Sequence, residues 1–514
     1  MKKSILFFAI LFTILYCKNS QAQSRLLSGR NSIWCFGDSA GIDFTVPSNP
    51  QPYFSAMRSR GTAVSICDTL GQLLFYAHTG DTSNNGTNTR GNILDKNHLL
   101  IDNGDSIIGI SWYQEMVIIP MPGDTNKYYL FAQDVTLNYG IYYSIIDMGL
   151  NNGLGKVILK NQQILNIRMA DCITAIKHGN GRDWWMYSRS GDGFLTSNPF
   201  YTYLISPSGI LLDTLQNIGP LTGGGFIEFR WNKQGTKMAY VNYSGLIQVF
   251  DYDRCTGLIS NPITLDTMRP SSPLPAYWAC EFSASSRYLY VSASSTISYL
   301  YQYDLINLPT SFTRDTVWTT PFPVNTAGDL KRGPDDKIYL SSAYIDSMNN
   351  WNYPYPDSAY NIYNMNLSVI NEPDSAFPAC NFTPYSFYLG GKRTYWGLPN
   401  NPNYDMGVIA GSPCDTLSVG LSPGPSPEER GAIMQAWYNP AWNLIHVNAS
   451  QLKGKVGIIR LLDVSGRTLY EKKIEFIHGG YYTTEIYMNA FSSGIYFMQL
   501  ITDNEQVAGK VMKN

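Results

Sequence analysis

We predict that this chain is all-β, with a β-propeller followed by a small β-sandwich, from three features of its sequence. Charged residues make up 15% of it and aromatic residues 14%, with 44 glycines and 28 prolines, a composition typical of turn-rich extracellular β proteins. Helical periodicity is almost absent from the long central body. A strand, polar turn and strand recur around Phe229, Phe282 and Leu330, at spacings of 53 and 48 residues. A period of about 50 residues is typical of propeller blades, and seven such units fit between residues 30 and 412.

Each repeat predicts two β-hairpins, which together make the four-stranded unit of a blade. The repeats at 226–241 and 278–291 run FIEFRWNKQGTKMAYV and WACEFSASSRYLYV. A second hairpin follows each of them, at 245–253 and 298–305. A single blade cannot bury both of its faces, so we expect these units to pack side by side in one fold.

The N-terminus predicts a secretory signal peptide over residues 1–22. Lys2 and Lys3 precede an apolar stretch at 5–16, which is too short for a membrane-spanning helix. Small residues then lead to cleavage after Ala22. A lipid anchor at Cys17 is the alternative, although a bulky tyrosine immediately precedes that cysteine.

The C-terminus is set apart by composition and by motif. Residues 416–432 are rich in proline, serine and glycine and predict an extended linker. Residues 433–514 alternate apolar and polar side chains as short strands do. Their motifs are DVSGR from Asp463, SSGIYF from Ser492, and terminal lysines that flank an apolar pair.

These motifs resemble the C-terminal sorting domain of proteins that the type IX secretion system of Bacteroidetes exports. The resemblance implies an Ig-like β-sandwich over 433–514 and the type IX machinery as a partner. It also implies a route through the periplasm to the cell surface or the medium. The sorting-motif residues that it implies are Gly466, Gly494, Tyr496 and Lys510.

The body carries a second resemblance. Its strings include CFGDSAGIDF from Cys35, GIYYSIIDM from Gly140, TAIKHGNGRDWW from Thr174 and FDYDRCTGL from Phe250. These resemble secreted Bacteroidetes proteins with a WD-repeat-like propeller ahead of a type IX C-terminal domain. That resemblance implies a fold and a destination, but no reaction.

Seven cysteines remain after removal of the signal peptide, and an oxidising destination favours disulfides among them. We predict pairs between Cys255 and Cys280 and between Cys380 and Cys414, because each pair brackets one repeat. Buried free thiols are the alternative, since cysteine often packs as a small apolar residue. No C-x-x-C pair is present to suggest a metal or redox site.

Charge and motif content argue against several functional classes. The formal net charge is -2, and the loss of Lys2, Lys3 and Lys18 takes it to -5, so nucleic acid is not expected as a partner. The sequence has no nucleophile elbow, zincin motif or P-loop. His178 lacks a recognisable catalytic partner and is expected to be structural. We therefore predict no catalytic residue, no metal and no cofactor.

An aromatic loop is the strongest candidate for ligand binding. Trp351, Tyr353 and Tyr355 stand in W-N-Y-P-Y-P, whose prolines are incompatible with a central strand. Rings on such a loop can stack on sugars or on a partner chain, or else pack onto the propeller rim. The sequence thus favours a secreted or surface propeller that binds a polysaccharide or a surface protein. The alternative function is a lactonase-like or glycan-active hydrolase at the central channel.

Overall fold

The computed structural model divides the chain into two compact units, Met1–Gly420 and Leu421–Asn514. The predicted signal peptide at 1–22 and the predicted linker at 416–432 lie outside the described residues. The structure describes residues 29–79, 90–109, 113–135, 139–191, 199–221, 226–267, 276–294, 297–321, 324–344, 355, 359–415, 433–439, 443–450, 456–475, 482–502 and 506–513.

The described residues of the first unit form seven antiparallel sheets in chain order, one of three strands and six of four. The first sheet comprises β1 (Ile33–Phe36), β2 (Ala40–Asp43) and β3 (Gln51–Pro52). The second comprises β4 (Ala63–Cys67), β5 (Leu73–His78), β6 (Arg90–Asp95) and β7 (Ile107–Ile108), and the third comprises β8 (Met116–Pro120), β9 (Lys127–Asp134), β10 (Gly140–Asp147) and β11 (Lys156–Leu165).

The fourth sheet comprises β12 (Thr174–Lys177), β13 (Trp184–Arg189), β14 (Phe200–Ser206) and β15 (Gly209–Gln216), and the fifth comprises β16 (Ile227–Trp231), β17 (Lys237–Asn242), β18 (Ile247–Asp253) and β19 (Leu258–Asp266).

The sixth sheet comprises β20 (Ala276–Phe282), β21 (Tyr288–Ser294), β22 (Ile297–Asp304) and β23 (Thr313–Pro321). The seventh comprises β24 (Val324–Arg332), β25 (Ile338–Tyr344), β26 (Asn366–Ile370) and β27 (Phe382–Tyr388). Helical structure in the described part of this unit is limited to two single 3-10 turns, Gly29–Asn31 and Asn151–Gly153. No helix among the described residues is long and apolar enough to cross a membrane.

Successive sheets pack face to face through their apolar side chains, as the blades of a propeller do. The repeat anchors Phe229, Phe282 and Leu330 are fully buried on β16, β20 and β24, which are the first strands of three successive blades. The first strands of neighbouring blades contact one another around the ring. The predicted seven-bladed propeller is therefore confirmed, with three strands in its first blade.

The ring closes where the first blade meets the last. Trp34 on β1 packs edge-on against Tyr339 on β25, with ring centroids 5.8 Å apart, and Phe44 packs on the same tyrosine at 5.5 Å. Asp38 forms a salt bridge with Arg393, whose Nη2 lies 2.5 Å from Oδ2. The beginning and the end of the propeller sequence thus hold each other at this seam.

Residues 395–404, which we call the closing segment, line the inner side of the ring between β24 and β4. The Asp329 amide donates to the carbonyl of Trp396 at 2.8 Å, and Lys331 Nζ donates to the carbonyl of Asn401 at 2.9 Å. On the other side, the Asn400 amide donates to the carbonyl of Ala63 at 2.8 Å. The segment therefore bridges the last blade and the second blade, on the inner side of the three-stranded first blade.

The side chain of Asn400 extends this bridge across the axis of the disc. Its Nδ2 donates to the carbonyls of Met116 and Ile173, at 2.9 and 2.6 Å, at the start of the third and fourth blades. Its Oδ1 accepts from Arg230 Nη1 of the fifth blade at 3.3 Å. One buried amide thus satisfies polar groups of three blades.

The single disulfide in the described residues joins Cys255 to Cys414. Both predicted pairings were wrong: Cys280 and Cys380 are buried free thiols, as are Cys35, Cys67 and Cys172. Cys255 lies in the turn between β18 and β19, and the chain that follows the closing segment brings Cys414 next to this turn. The two cysteines pair because they are close in space, although 159 residues separate them in the sequence.

The second unit is a β-sandwich, as the sequence predicted. Its strands pack around buried aliphatic residues that include Ile445, Val447, Ile459 and Leu461. The strands are β28 (Ile433–Asn439), β29 (Leu444–Ser450), β30 (Val456–Leu462), β31 (Thr468–Glu475), β32 (Tyr482–Tyr487), β33 (Gly494–Thr502) and β34 (Gln506–Lys513). Their order is β28-β29-β32 in one layer and β31-β30-β33-β34 in the other, with all pairs antiparallel.

The contacts of Asn400 predict its contribution to stability. Asn400→Ala would leave the carbonyls of Met116 and Ile173 buried without their donor, so we expect the free energy of unfolding to fall by about 2–4 kcal/mol. The matched control is Asn403→Ala, because the one hydrogen bond of that partly exposed side chain within the described residues comes from the nearby Asp405 amide. Urea denaturation should show a loss below about 1 kcal/mol for the control. Equal stability of the two variants would contradict the bridging role.

The disulfide predicts a second loss. Replacing both Cys255 and Cys414 by serine frees the chain beyond the closing segment, so the free energy of unfolding should fall by about 2–5 kcal/mol. Thermal melting with and without dithiothreitol measures the effect. The reductant should lower the Tm of the parent but leave that of the double variant unchanged; a parent that melts identically under both conditions would refute the assignment.

Candidate functional site

The central channel gathers charged side chains from three inner strands. Glu228 and Arg230 lie two residues apart on β16, Asp329 and Lys331 two residues apart on β24, and Glu281 lies on β20. Residues at this spacing project from the same side of a strand, here toward the axis. All five side chains are buried, and we call them the channel cluster.

Arg230 is the centre of the channel cluster. Its Nε lies 2.6 Å from Glu228 Oε1 and 4.0 Å from Glu281 Oε2, and its Nη2 donates to Asp329 Oδ1 at 2.9 Å. Tyr113, which precedes β8, donates its hydroxyl to Glu228 Oε2 at 3.0 Å. One guanidinium therefore interacts with three carboxylates out of contact with bulk water, where such pairing is needed to keep ions charged.

Burial favours the neutral form of each of these groups, and charged partners oppose or reinforce that effect. It raises the pKa of Glu228 well above its usual value, and it also raises the pKa of Asp329. Burial alone would lower the pKa of Arg230, but the carboxylates of Glu228 and Asp329 outweigh it and raise that pKa. Burial, together with the charge of Arg230, lowers the pKa of Lys331 to about 7. The Lys331 ammonium therefore loses part of its charge near neutral pH.

The protein itself supplies hydrogen-bond donors to the acidic members of the cluster. Asp329 Oδ2 accepts from the Leu398 amide at 2.9 Å and from Gln114 Nε2 at 2.5 Å. Glu281 Oε2 accepts from the Arg332 amide at 3.0 Å. Among the described residues there is no group of three or more histidine, cysteine or acidic side chains suited to a metal ion. These contacts hold the closing segment and the inner strands together.

Aromatic rings pack at the end of the channel where the inner strands begin. Trp396 of the closing segment lies 5.2 Å from Trp278 and 4.9 Å from Tyr395, between ring centroids. Phe226 packs on Trp278 at 4.8 Å, and the Arg60 guanidinium carbon lies 4.8 Å from the centre of the Trp396 ring. Tyr113 joins this aromatic group to the channel cluster, because its ring lies 5.6 Å from that of Trp278 and its hydroxyl donates to Glu228.

Of the three predicted binding residues, the structure describes only Tyr355. Trp351 and Tyr353 lie outside the described residues. Tyr355 is buried: its hydroxyl accepts from the Tyr344 amide at 3.1 Å, and its ring lies 5.0 Å from that of Tyr395. The expectation that Tyr355 presents its ring to a ligand is corrected accordingly, because this side chain anchors the loop to the body of the propeller.

His178 has a structural environment, as expected. Its Nδ1 accepts from the Asn180 amide at 3.0 Å, and its ring lies 5.2 Å from that of Trp185. Burial lowers the pKa of the imidazole, so the neutral form is favoured. The channel cluster, in contrast, was missed, although the alternation of charges at 228, 230 and 281 and at 329 and 331 was visible as a signal in the repeats.

In the C-terminal sandwich the motif residues lie in a turn, at the start of strand β33 and on the edge strand β34. Gly466 has a φ of +81° in the turn between β30 and β31, which favours glycine there. The carboxylate of Asp463 closes this turn by accepting from the amides of Ser465 and Arg467, at 2.9 and 3.1 Å. The D-x-x-G-R motif is thus a compact hairpin turn with a side-chain cap.

The second motif begins the strand β33. Gly494 is its first residue, and the buried Tyr496 donates its hydroxyl to the carbonyl of Ser492 at 2.5 Å. Lys510 lies on β34, where its backbone pairs with Phe497. Lys513 at the end of that strand donates from Nζ to the carbonyl of Phe491 at 2.7 Å. The terminal strand is therefore part of the folded domain.

Comparison with known proteins gives a family for this second domain alone. Residues 435–514 match the secretion system C-terminal sorting domain. No curated protein matches the chain.

Solved structures similar to the chain share little sequence with it. They include a periplasmic gluconolactonase of Pseudomonas aeruginosa, 10% identical with a TM-score of 0.42, covering 71% of this chain and 98% of that one. A putative 6-phosphogluconolactonase of Bacteroides fragilis is 11% identical with a TM-score of 0.41, covering 72% and 98%. PorZ, a surface component of the type IX secretion system of Porphyromonas gingivalis, is 10% identical with a TM-score of 0.29, covering 94% and 74%.

The assignment of the propeller rests on the sheets and their order, and the assignment of the sandwich rests on its family match. A sorting domain of this family engages the type IX secretion machinery. The C-terminal domain is therefore a type IX sorting domain, and it directs the propeller that precedes it to the cell surface or the extracellular space.

Proposed function

We propose that the propeller is a binding or adhesion module that acts outside the cell, with a polysaccharide or a surface protein as its ligand. The observation that carries this proposal is the occupied channel. The closing segment bridges the inner strands, and Asn400 crosses the axis with hydrogen bonds to groups of four blades. A propeller whose axis is filled in this way presents its loops and outer surfaces to partners.

A hydrolase or lactonase at the central channel is the alternative function. It would need a substrate to reach the carboxylates of Glu228 or Asp329, and both already accept hydrogen bonds from the protein. Displacing the closing segment would break the contacts of Asn400 and leave Arg230 in contact with fewer partners. The disulfide between Cys255 and Cys414 further restrains the chain just beyond that segment. These costs favour binding over catalysis.

The aromatic loop before Tyr355 remains our candidate for the ligand contact. Tyr355 fixes one point of this loop against Tyr344 and Tyr395. The two preceding rings, Trp351 and Tyr353, are proposed to stack on the ligand. Tyr360, which follows the loop, is half-exposed beside Arg393.

The sorting domain predicts a defined export defect. Deleting residues 435–514 should leave a folded propeller in the periplasm, because the type IX machinery then has no domain to engage. Cell fractionation followed by immunoblotting and protease digestion measures both location and folding. Tyr487→Ala is the matched control, since this exposed ring of the sandwich lies outside the motif residues and its loss should leave export unchanged. Normal appearance of the deletion variant at the cell surface or in the medium would contradict the export assignment.

The proposed ligand contact predicts a selective loss of binding. Changing both Trp351 and Tyr353 to alanine should weaken binding to the polysaccharide on the surface of whole cells at least tenfold, because each stacked ring contributes on the order of 1 kcal/mol. The Tm should stay within about 2 °C of the parent, since Tyr355 is left in place. The control is Tyr355→Phe, which keeps the ring and should keep the affinity. Hydrolysis of a lactone or glycan that survives the double substitution would replace binding by the enzyme alternative.

A further inference from the structure

Three aromatic side chains are half-exposed at the seam between the first and last blades. Phe54, Tyr360 and Tyr388 have exposed fractions of 52%, 50% and 55%. Large aromatic residues are usually buried, so three such rings at one seam call for an explanation. We call these three residues the ring platform.

One turn organises the ring platform. It contains Gly390 and Gly391, both with positive φ, at +65° and +84°. A Cβ on Gly390 would stand 2.8 Å from Phe54 Cε1, so the ring lies directly on this glycine. The hydroxyl of Tyr388 lies 3.5 Å from the position that a Cβ on Gly391 would take. The glycine pair therefore lets two rings approach the backbone of a turn closely.

Cationic side chains from the same turn hold or flank the rings. The guanidinium carbon of Arg393 lies 4.3 Å from the centre of the Tyr360 ring, and Asp38 fixes this arginine through its salt bridge. Lys392 Nζ lies 5.7 Å from the centre of the Phe54 ring. These are cation–π distances, so the turn sets both the rings and the positive charge beside them.

The charge of this surface differs from that of the chain. The whole chain has a formal net charge of -2, whereas the turn contributes Lys392 and Arg393. Arg393 is buried and neutralised by Asp38, but Lys392 is partly exposed and has no salt-bridge partner within the part of the chain that the structure describes. The Lys392 ammonium is thus left to attract an anionic group on a ligand.

The area of the ring platform favours a saccharide over a protein. An aromatic side chain buries about 150–250 Å² when fully covered, so three half-exposed rings offer roughly 300 Å². A stable protein interface covers roughly 800 Å² on each partner. Separate flat rings beside one cation suit sugar faces that stack and an acidic group that pairs with it.

We propose that the ring platform binds a polysaccharide that carries carboxylate or sulfate groups. The rings of Phe54, Tyr360 and Tyr388 stack on sugar faces, and the Lys392 ammonium pairs with an acidic group of the chain. This inference rests on the proposed binding function and gives it a ligand class and a second set of residues, apart from Trp351 and Tyr353.

Affinity electrophoresis of the full-length protein tests the proposal, with polygalacturonate in the gel as the anionic probe and dextran as the neutral one. Polygalacturonate should retard the parent and dextran should not. Changing Phe54, Tyr360 and Tyr388 together to alanine should weaken retardation at least tenfold. Lys392→Gln alone should weaken it about threefold to fivefold, and raising the salt concentration should reduce this difference.

Matched substitutions elsewhere on the propeller control for exposed rings and for charge. Phe312→Ala removes an exposed ring, and Lys96→Gln removes an exposed lysine; neither should change retardation. Lys392→Gln is the informative variant if the triple substitution lowers the Tm, because it removes only a partly exposed charge.

Two results with the electrophoresis probes overturn this inference without touching the proposed function, and a third combines the probes with whole cells. One is equal retardation by dextran and polygalacturonate, and the other is unchanged retardation of both the triple and the Lys392 variants. If the parent binds neither probe yet binds whole cells in a Trp351- and Tyr353-dependent way, the ligand class is wrong and the binding function stands. Cleavage of polygalacturonate by the parent would overturn the proposed function instead.

Discussion

A propeller built from one chain has a seam where its two ends must meet, and closing this seam is the constraint on which the rest of the structure depends. The first blade has only three strands of its own, and the closing segment lies beside it on the inner side of the ring. An unpaired inner edge would leave backbone groups without partners in a water-poor channel. The closing segment, from the far end of the propeller sequence, lies at this place and forms hydrogen bonds with Ala63 of the second blade and with Asp329 and Lys331 of the last.

The same segment makes the buried charges of the channel tolerable. Arg230 interacts with three carboxylates, and Asn400 adds an acceptor for its remaining donors. Buried ions are costly unless each is paired and hydrogen-bonded, so ring closure and charge pairing are energetically coupled here. This coupling is also why the interior is a poor place for a substrate: removing the segment would take away the Asn400 acceptor of Arg230, the Leu398 donor of Asp329 and the Asn401 acceptor of Lys331. The surfaces left for recognition are the loops and the seam, where aromatic rings are exposed beside a cation.

The two compact units divide the biological task. The sandwich carries turns and an edge strand whose residues match a sorting family, and its terminal strand is anchored through Lys513 to the Phe491 turn. The propeller carries the binding surfaces that we propose. A disulfide that restrains the chain after the closing segment is consistent with a destination outside the cytoplasm, where such bonds persist.

The sequence by itself determined the features that depend on short-range pattern. Strand alternation and turn residues around Phe229, Phe282 and Leu330 predicted the blade and its period, and alternation in 433–514 predicted the sandwich, because hairpins are set by residues a few positions apart. The motifs around Gly466 and Gly494 carried the resemblance to a sorting domain. Only the tertiary structure decided the partner of Cys255, the burial of Tyr355 and the meeting of Glu228, Arg230 and Asp329. Each of these depends on how seven blades close into a ring. Closure brings together residues far apart in sequence, 159 positions for Cys255 and Cys414 and 355 for Asp38 and Arg393, so their separation in sequence says nothing about their separation in space.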